Sequence, residues 1–153
     1  MDAKKTISVQ AVISAPVEQV WKLYTEPEHV IKWNNPSNDW HTPRAENDLK
    51  VGGKFLYRME AKDGSSGFDF DGIYEQIRTK ELILYSLTDG RKVEVTFTKD
   101  NDTRTKIATT FEAESTNPLE MQRNGWQAIL DNFKKYVETR NRKMKFTIRL
   151  FNF

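Results

Sequence analysis

The sequence predicts an α+β domain in which a curved antiparallel sheet wraps around one long C-terminal helix. Three observations predict it: a period-two apolar run at the start, a central stretch of strand signals joined by hairpin turns without crossover helices, and one extended apolar stripe at helical spacing near the end.

The first strand rests on Ile7, Val9, Ala11 and Ile13, which alternate with Ser8, Gln10 and Val12. Ser14-Ala15-Pro16 stops it and opens a helix, because proline is tolerated in a first helical turn; Val17, Val20, Trp21 and Tyr24 then recur at helical spacing. Glu26-Pro27 breaks that helix, and Glu28 to Trp33 forms a second short one before the polar loop Asn34-Asn35-Pro36-Ser37-Asn38. Between Leu49 and Phe111 the chain reads as a meander: Gly53 to Ala61, Phe68 to Ile77, Leu82 to Leu87, Val93 to Thr98 and Thr105 to Ala113. The turns between them are rich in Gly, Asp, Asn and Ser. Ser115-Thr116-Asn117-Pro118 supplies helix-start chemistry. After it, Leu119, Gln122, Trp126, Ile129, Leu130, Phe133 and Val137 mark one face of a helix of about 20 residues.

A chain of 153 residues buries one substantial core, so a single domain is expected, with the compact unit at residues 1–139 and a basic, apolar tail at 140–153. Nine Phe, five Tyr and four Trp build its interior from large rings. The lack of cysteine excludes disulfides, a thiolate metal site and a cysteine nucleophile, and fits a reducing compartment. The N-terminal residues show no uninterrupted apolar run of signal-peptide or membrane-spanning type, so a cytoplasmic protein with no transmembrane segment is expected. A net charge of +2 is too balanced to suggest nucleic acid. That charge is uneven: Lys134 to Arg149 carries +6, leaving −4 for the remainder. Phe146 to Phe153 alternates apolar with polar residues and reads as a short extra strand, one that could join its own sheet, form a homodimer by strand addition, or touch an anionic membrane.

Within the meander, Phe55, Tyr57, Met59, Phe68, Phe70, Val93, Val95, Phe97, Ile107 and Phe111 share one parity. They should face Trp126, Ile129, Leu130 and Phe133 as a continuous aromatic surface that either closes into solid core or leaves a pocket. The glycines suggest curvature: Gly52-Gly53 at a bend, Gly72 at a kink or a close approach of the helix, and Gly125 where something large should pack on the helix. Catalytic apparatus is not evident. Asp69 and Asp71 point to the face opposite the phenyl rings, Gly52-Gly53 lacks a phosphate loop's lysine, and neither His29 nor His41 has a cysteine or second histidine at ligand spacing, so no metal is expected. Glu60 and Glu75 are placed to approach Tyr57, Tyr74 or Tyr85 across the hairpins as ordinary sheet contacts.

Four stretches carry a resemblance in a fixed order: Ala15-Pro16-Val17-Glu18-Gln19-Val20-Trp21 running on to Trp33, Val51-Gly52-Gly53-Lys54-Phe55, Asp71-Gly72-Ile73-Tyr74-Glu75-Gln76-Ile77, and Asn124-Gly125-Trp126. In these the chain resembles the START-like (SRPBCC) superfamily, and within it proteins of the activator of heat shock protein 90 ATPase type. The resemblance implies a helix-grip fold like that of START domains and the birch pollen allergen, with an elongated cavity between sheet and last helix. It implies that Trp33, Trp40 and His41 stand near the mouth, and that Phe55, Tyr57, Met59, Phe68, Phe70, Tyr85, Phe97, Phe111, Trp126, Ile129, Leu130 and Phe133 line the interior. The function so implied is non-catalytic binding of a small apolar or lipid-like molecule without a cofactor. A cyclase- or hydrolase-type enzyme using the same cavity is the alternative, and a chaperone-associated role in the stress response is a third.

Overall fold

A computed structural model describes the backbone of residues 5–151 and the side chains of residues 5–145. The element order is β1 (Thr6–Ile13), α1 (Val17–Thr25), α2 (Pro27–Trp33), β2 (Trp40–Asn47), β3 (Lys54–Ala61), β4 (Gly67–Arg78), β5 (Leu82–Leu87), β6 (Lys92–Asn101), β7 (Arg104–Glu112) and α3 (Leu119–Phe151). The seven strands form one antiparallel sheet in the order β1-β7-β6-β5-β4-β3-β2, so α1 and α2 connect its two edges. This is the α+β helix-grip architecture.

Register brings the expected parity to one face. Ile7 and Val93 both sit opposite Phe111, Phe97 opposite Ile107, Tyr85 opposite Val93, and Tyr57 opposite Phe70. Alternate residues leave the core: Asp69 meets Arg58 at 3.4 Å and Asp71 accepts from Thr88 Oγ1 at 2.8 Å, both on the outer face. Glu75 accepts from Lys92 Nζ at 2.7 Å and from Ser86, and Glu60 lies 4.0 Å from Arg58, so neither carboxylate pairs with a tyrosine as expected.

Two glycines serve the bend of the sheet. Gly52 N–H donates to Tyr74 O at 2.8 Å and Gly53 O accepts from Tyr74 N–H at 2.9 Å, and a Cβ on Gly53 would fall 2.0 Å from Asp48 O. At Gly72 a Cβ would meet Ser86 O at 2.5 Å and the Phe55 ring at 2.9 Å, so the close approach comes from neighbouring strands and not from the helix. Bulges interrupt β2/β3, β4/β5 and β6/β7, which lets the sheet coil around α3.

Two expectations need correction. β2 was not anticipated, because Thr42-Pro43 breaks its pattern; it is an edge strand with its register shift at the proline, which has no N–H for a ladder. The strand expected after residue 145 is absent too. α3 continues unbroken to Phe151, since no Gly or Pro stops it and Arg, Lys and Met favour helix; Asn152 and Phe153 lie outside the described residues. A dimer by strand addition through this segment loses its basis.

α3 is fixed to the rest at several points. Its apolar face buries Leu130, Phe133 and Val137, each at most 4% exposed. Asn132 Nδ2 donates to Trp33 O at 2.7 Å, Tyr136 Oη and His29 Nδ1 are 2.7 Å apart, and Asn141 exchanges amide bonds with Gln19. Along the β1 edge, Gln127 donates to Gln10 O at 3.0 Å, Lys134 donates to Val12 O, and Glu138 accepts from the Ser14 N–H at 2.8 Å. No helix among the described residues is long and apolar enough to cross a membrane.

Candidate functional site

Between the sheet's inner face and α3 lies an open space of about 720 Å³. β3 supplies Tyr57 and Met59 to its floor, β4 supplies Phe68 and Phe70, β5 Tyr85 and β7 Thr109. The roof is α3, through Met121, Gln122, Gly125, Trp126, Ile129 and Leu130. Tyr24, Trp33, Asn34 and Pro36 close one end, Trp40 and the 46%-exposed Phe68 stand at the rim, and Arg91, Glu114 and Asn117 form a polar end beside the start of α3. A second void of about 30 Å³, against Phe55, Tyr74 and Ile83, lies behind the floor.

Of the residues expected around a cavity, Trp33, Trp40, Tyr57, Met59, Phe68, Phe70, Tyr85, Trp126, Ile129 and Leu130 line this space. The other five do not. His41 is exposed on β2, opposite Glu60. Phe97 packs edge-on to Trp21 at 5.1 Å, Phe133 fits against Trp33 at 4.8 Å, Phe111 stacks beneath Trp126 at 4.1 Å, and Phe55 fills the layer between Tyr57 and Tyr85. These rings share parity with the lining residues but sit where sheet and helices close together, so they are solid core.

Gly125 also departs from expectation. A Cβ placed there meets nothing within 4 Å, so the missing side chain leaves room in the cavity and not a seat for a packed ring. Among the lining residues not anticipated, Thr109 and Arg91 carry the inward parity of Ile107 and Val93, while Met121 and Gly125 lie a helical turn from Trp126 and Ile129.

The polar groups are individually accounted for. Burial pushes the Tyr24, Tyr57, Tyr74 and Tyr85 phenols above their ordinary range, so all four stay protonated near neutrality. Tyr57 donates to Tyr74, Tyr74 donates to Asn47 Oδ1 at 2.6 Å, and Asn47 Nδ2 donates to Thr25 O at 2.7 Å, a relay that ends on backbone. Tyr85 is 7% exposed, and its hydroxyl makes no hydrogen bond among the described residues. Glu114 accepts from the N–H groups of Asn117 at 2.6 Å and Thr116 at 3.2 Å, which lowers its pKa. Elsewhere Glu26, Glu28 and His29 cluster at the surface, with His29 Nδ1 engaged by Tyr136.

Residues 14–138 match the family described as Activator of Hsp90 ATPase homolog 1-like protein. The solution structure of an AHSA1-like protein from Aeromonas hydrophila is 41% identical, with 90% of this chain and 94% of that chain covered and a TM-score of 0.83. The solution structure of Chr148 from Cytophaga hutchinsonii is 49% identical over 91% of this chain and 94% of that one, with a TM-score of 0.74. A Nitrosomonas europaea protein at 17% identity shares the fold over 92% of this chain and 99% of its own, with a TM-score of 0.76. No curated protein matches the chain. A match across most of the domain, joined to two relatives above 40% identity, establishes that this chain belongs to the Activator of Hsp90 ATPase homolog 1-like family.

Proposed function

We propose that the protein binds a small, mostly apolar molecule in the space between the sheet and α3, without chemistry. One observation carries this reading: about 720 Å³ is left open and walled by aromatic and aliphatic side chains, although the same faces supply rings that close a tight core a few ångströms away. Ligand pockets are typically of about 300–1,000 Å³, apolar with a few placed polar groups. A void of this size held only for packing would cost stability without return.

The polar inventory favours binding over catalysis. Among the described lining residues Glu114 is the carboxylate, its oxygens are engaged by backbone N–H groups, and the buried phenols are held in their neutral form. These groups orient a guest and do not exchange protons with it near neutrality.

Gly125 provides the test. Gly125→Leu places a side chain into the void without meeting protein atoms at its Cβ, and it replaces a poor helix former with a good one, a gain of up to about 1 kcal/mol. The neutral dye N-phenyl-1-naphthylamine should fluoresce saturably with the wild type. The variant should keep the native circular dichroism, melt no lower, and lose dye binding by about tenfold or more. No dye binding by the wild type, or undiminished binding by the variant, would refute the proposal.

A further inference from the structure

The cavity is not uniformly apolar, and its polar end has unmatched donors. Arg91 lies immediately before β6 at an inward-parity position, lines the cavity, and has a side chain only 24% exposed. Its charge is felt by the phenol of Tyr85, whose partner across β5/β6 is Val93, two residues on from Arg91. Nε is held by Asp89 Oδ2 at 2.8 Å and Nη1 reaches Glu112 O at 3.4 Å, which uses two of the five guanidinium N–H donors. Tyr85, whose phenol burial keeps protonated, lines the same cavity; its hydroxyl makes no hydrogen bond among the described residues and is open to that space.

No buried side-chain polar atom among the described residues lacks a partner, so these N–H and O–H donors are open on the cavity side, a gap that a guest or solvent fills. The negative groups nearby do not fill the gap. Asp89 Oδ1 accepts from the Arg91 N–H and its side chain is 55% exposed, while Glu114 turns its oxygens to the backbone of residues 116 and 117. What remains is a planar cationic fork at one end of an apolar chamber and a phenolic O–H on its floor.

We infer that the ligand is an anionic amphiphile, a carboxylate whose head sits on Arg91 and the Tyr85 hydroxyl while its apolar body runs beneath Trp126 and Ile129. The inference rests on the cavity-binding reading and specifies its ligand class. Guanidinium suits a carboxylate because two parallel N–H···O bonds match its geometry, and an ion-assisted bond is about twice as strong as a neutral one. The apolar walls supply most of the affinity and the polar end fixes orientation.

The test compares decanoate with 1-decanol, equal in chain length and different in head, by isothermal titration calorimetry at pH 7.5 and at premicellar concentrations. Decanoate should bind about tenfold tighter or more. Arg91→Met should remove most of that preference and leave decanol within about twofold. Because Arg91 also braces the Asp89 turn, Tyr85→Phe provides a second variant that leaves the turn intact; it should weaken decanoate by about threefold to tenfold and decanol by less, since an ion-assisted bond is lost only for the carboxylate. Equal binding of the two ligands by wild type, or a preference that survives both substitutions, would overturn the carboxylate assignment while leaving the cavity reading standing. Failure of both ligands to bind would overturn both.

Discussion

Tyr57, Tyr74, Tyr85 and Tyr24 sit together under the cavity, and that grouping gives the protein an alkaline limit. Each phenol ordinarily titrates at about 10, and burial raises all four in the folded state. Below pH 10 they are neutral whether the chain is folded or not. Above it the unfolded chain releases protons first, so stability falls as pH rises, by about 1.4 kcal/mol per pH unit for each phenol until the folded-state value is passed. Urea unfolding at pH 9, 10 and 11 should therefore show a loss that begins near pH 10, and Tyr57→Phe should make it shallower; a flat profile would contradict the burial. Gly72 is constrained by space alone. Gly72→Ala should cost about 1–3 kcal/mol in urea unfolding, because its methyl would overlap Ser86 O and the Phe55 ring. That glycine's need for a close approach was legible in the sequence, but the neighbour was not: composition shows that room is required and not which atom requires it. Gly125 was misread for the same reason, as an absent side chain can mean either a contact or a void.

Among elements, those with a clean period were readable and those with a mixed signal were not. β1, α1, α2 and β3 through β7 follow alternation or helical spacing in the sequence to within a few residues. β2 hides because Pro43 sits in an edge strand, where its missing N–H does no harm, and because the strand's outward positions are polar. The end of α3 misleads because eight alternating residues satisfy a strand pattern, yet an unbroken helix with no stop signal simply continues. Its two parts should differ in worth. Phe133→Ala, on the turn wedged between Trp33 and Tyr24, should cost about 3–5 kcal/mol. Truncation after Asn141, which removes the exposed Arg142 to Lys145 and all that follows, should lower the melting temperature by no more than about 2 °C. A larger fall would show that the terminal turns pack against the domain.

At the scale of the whole molecule, parity assigned the inner face correctly but could not say how far that face stands from its partner. Tyr57 and Phe55 are two residues apart on one strand, and one borders open space while the other is sealed core. At the closed contacts Phe111 stacks on Trp126 of α3 and Phe97 packs on Trp21 of α1, while the Tyr57 side of the sheet meets no such filling ring among the described residues. No single residue encodes the difference. Arg91 is the exception that could have been found: a charged side chain at an inward position of a strand otherwise filled by Val93, Val95 and Phe97 is out of place in a solid core.

The bonds from Gln127, Lys134 and Glu138 to the backbone of Gln10, Val12 and Ser14 reach beyond anchoring α3. A first strand with bare carbonyls invites a stray chain to dock and template growth of fibrils. Here Gln127 and Lys134 occupy the Gln10 and Val12 carbonyls and Glu138 takes the Ser14 N–H, while Pro43 and its bulge spoil the opposite margin. Each flank of the sheet thus offers fewer free backbone groups to a foreign strand than a bare edge would, while the chamber stays open in its middle.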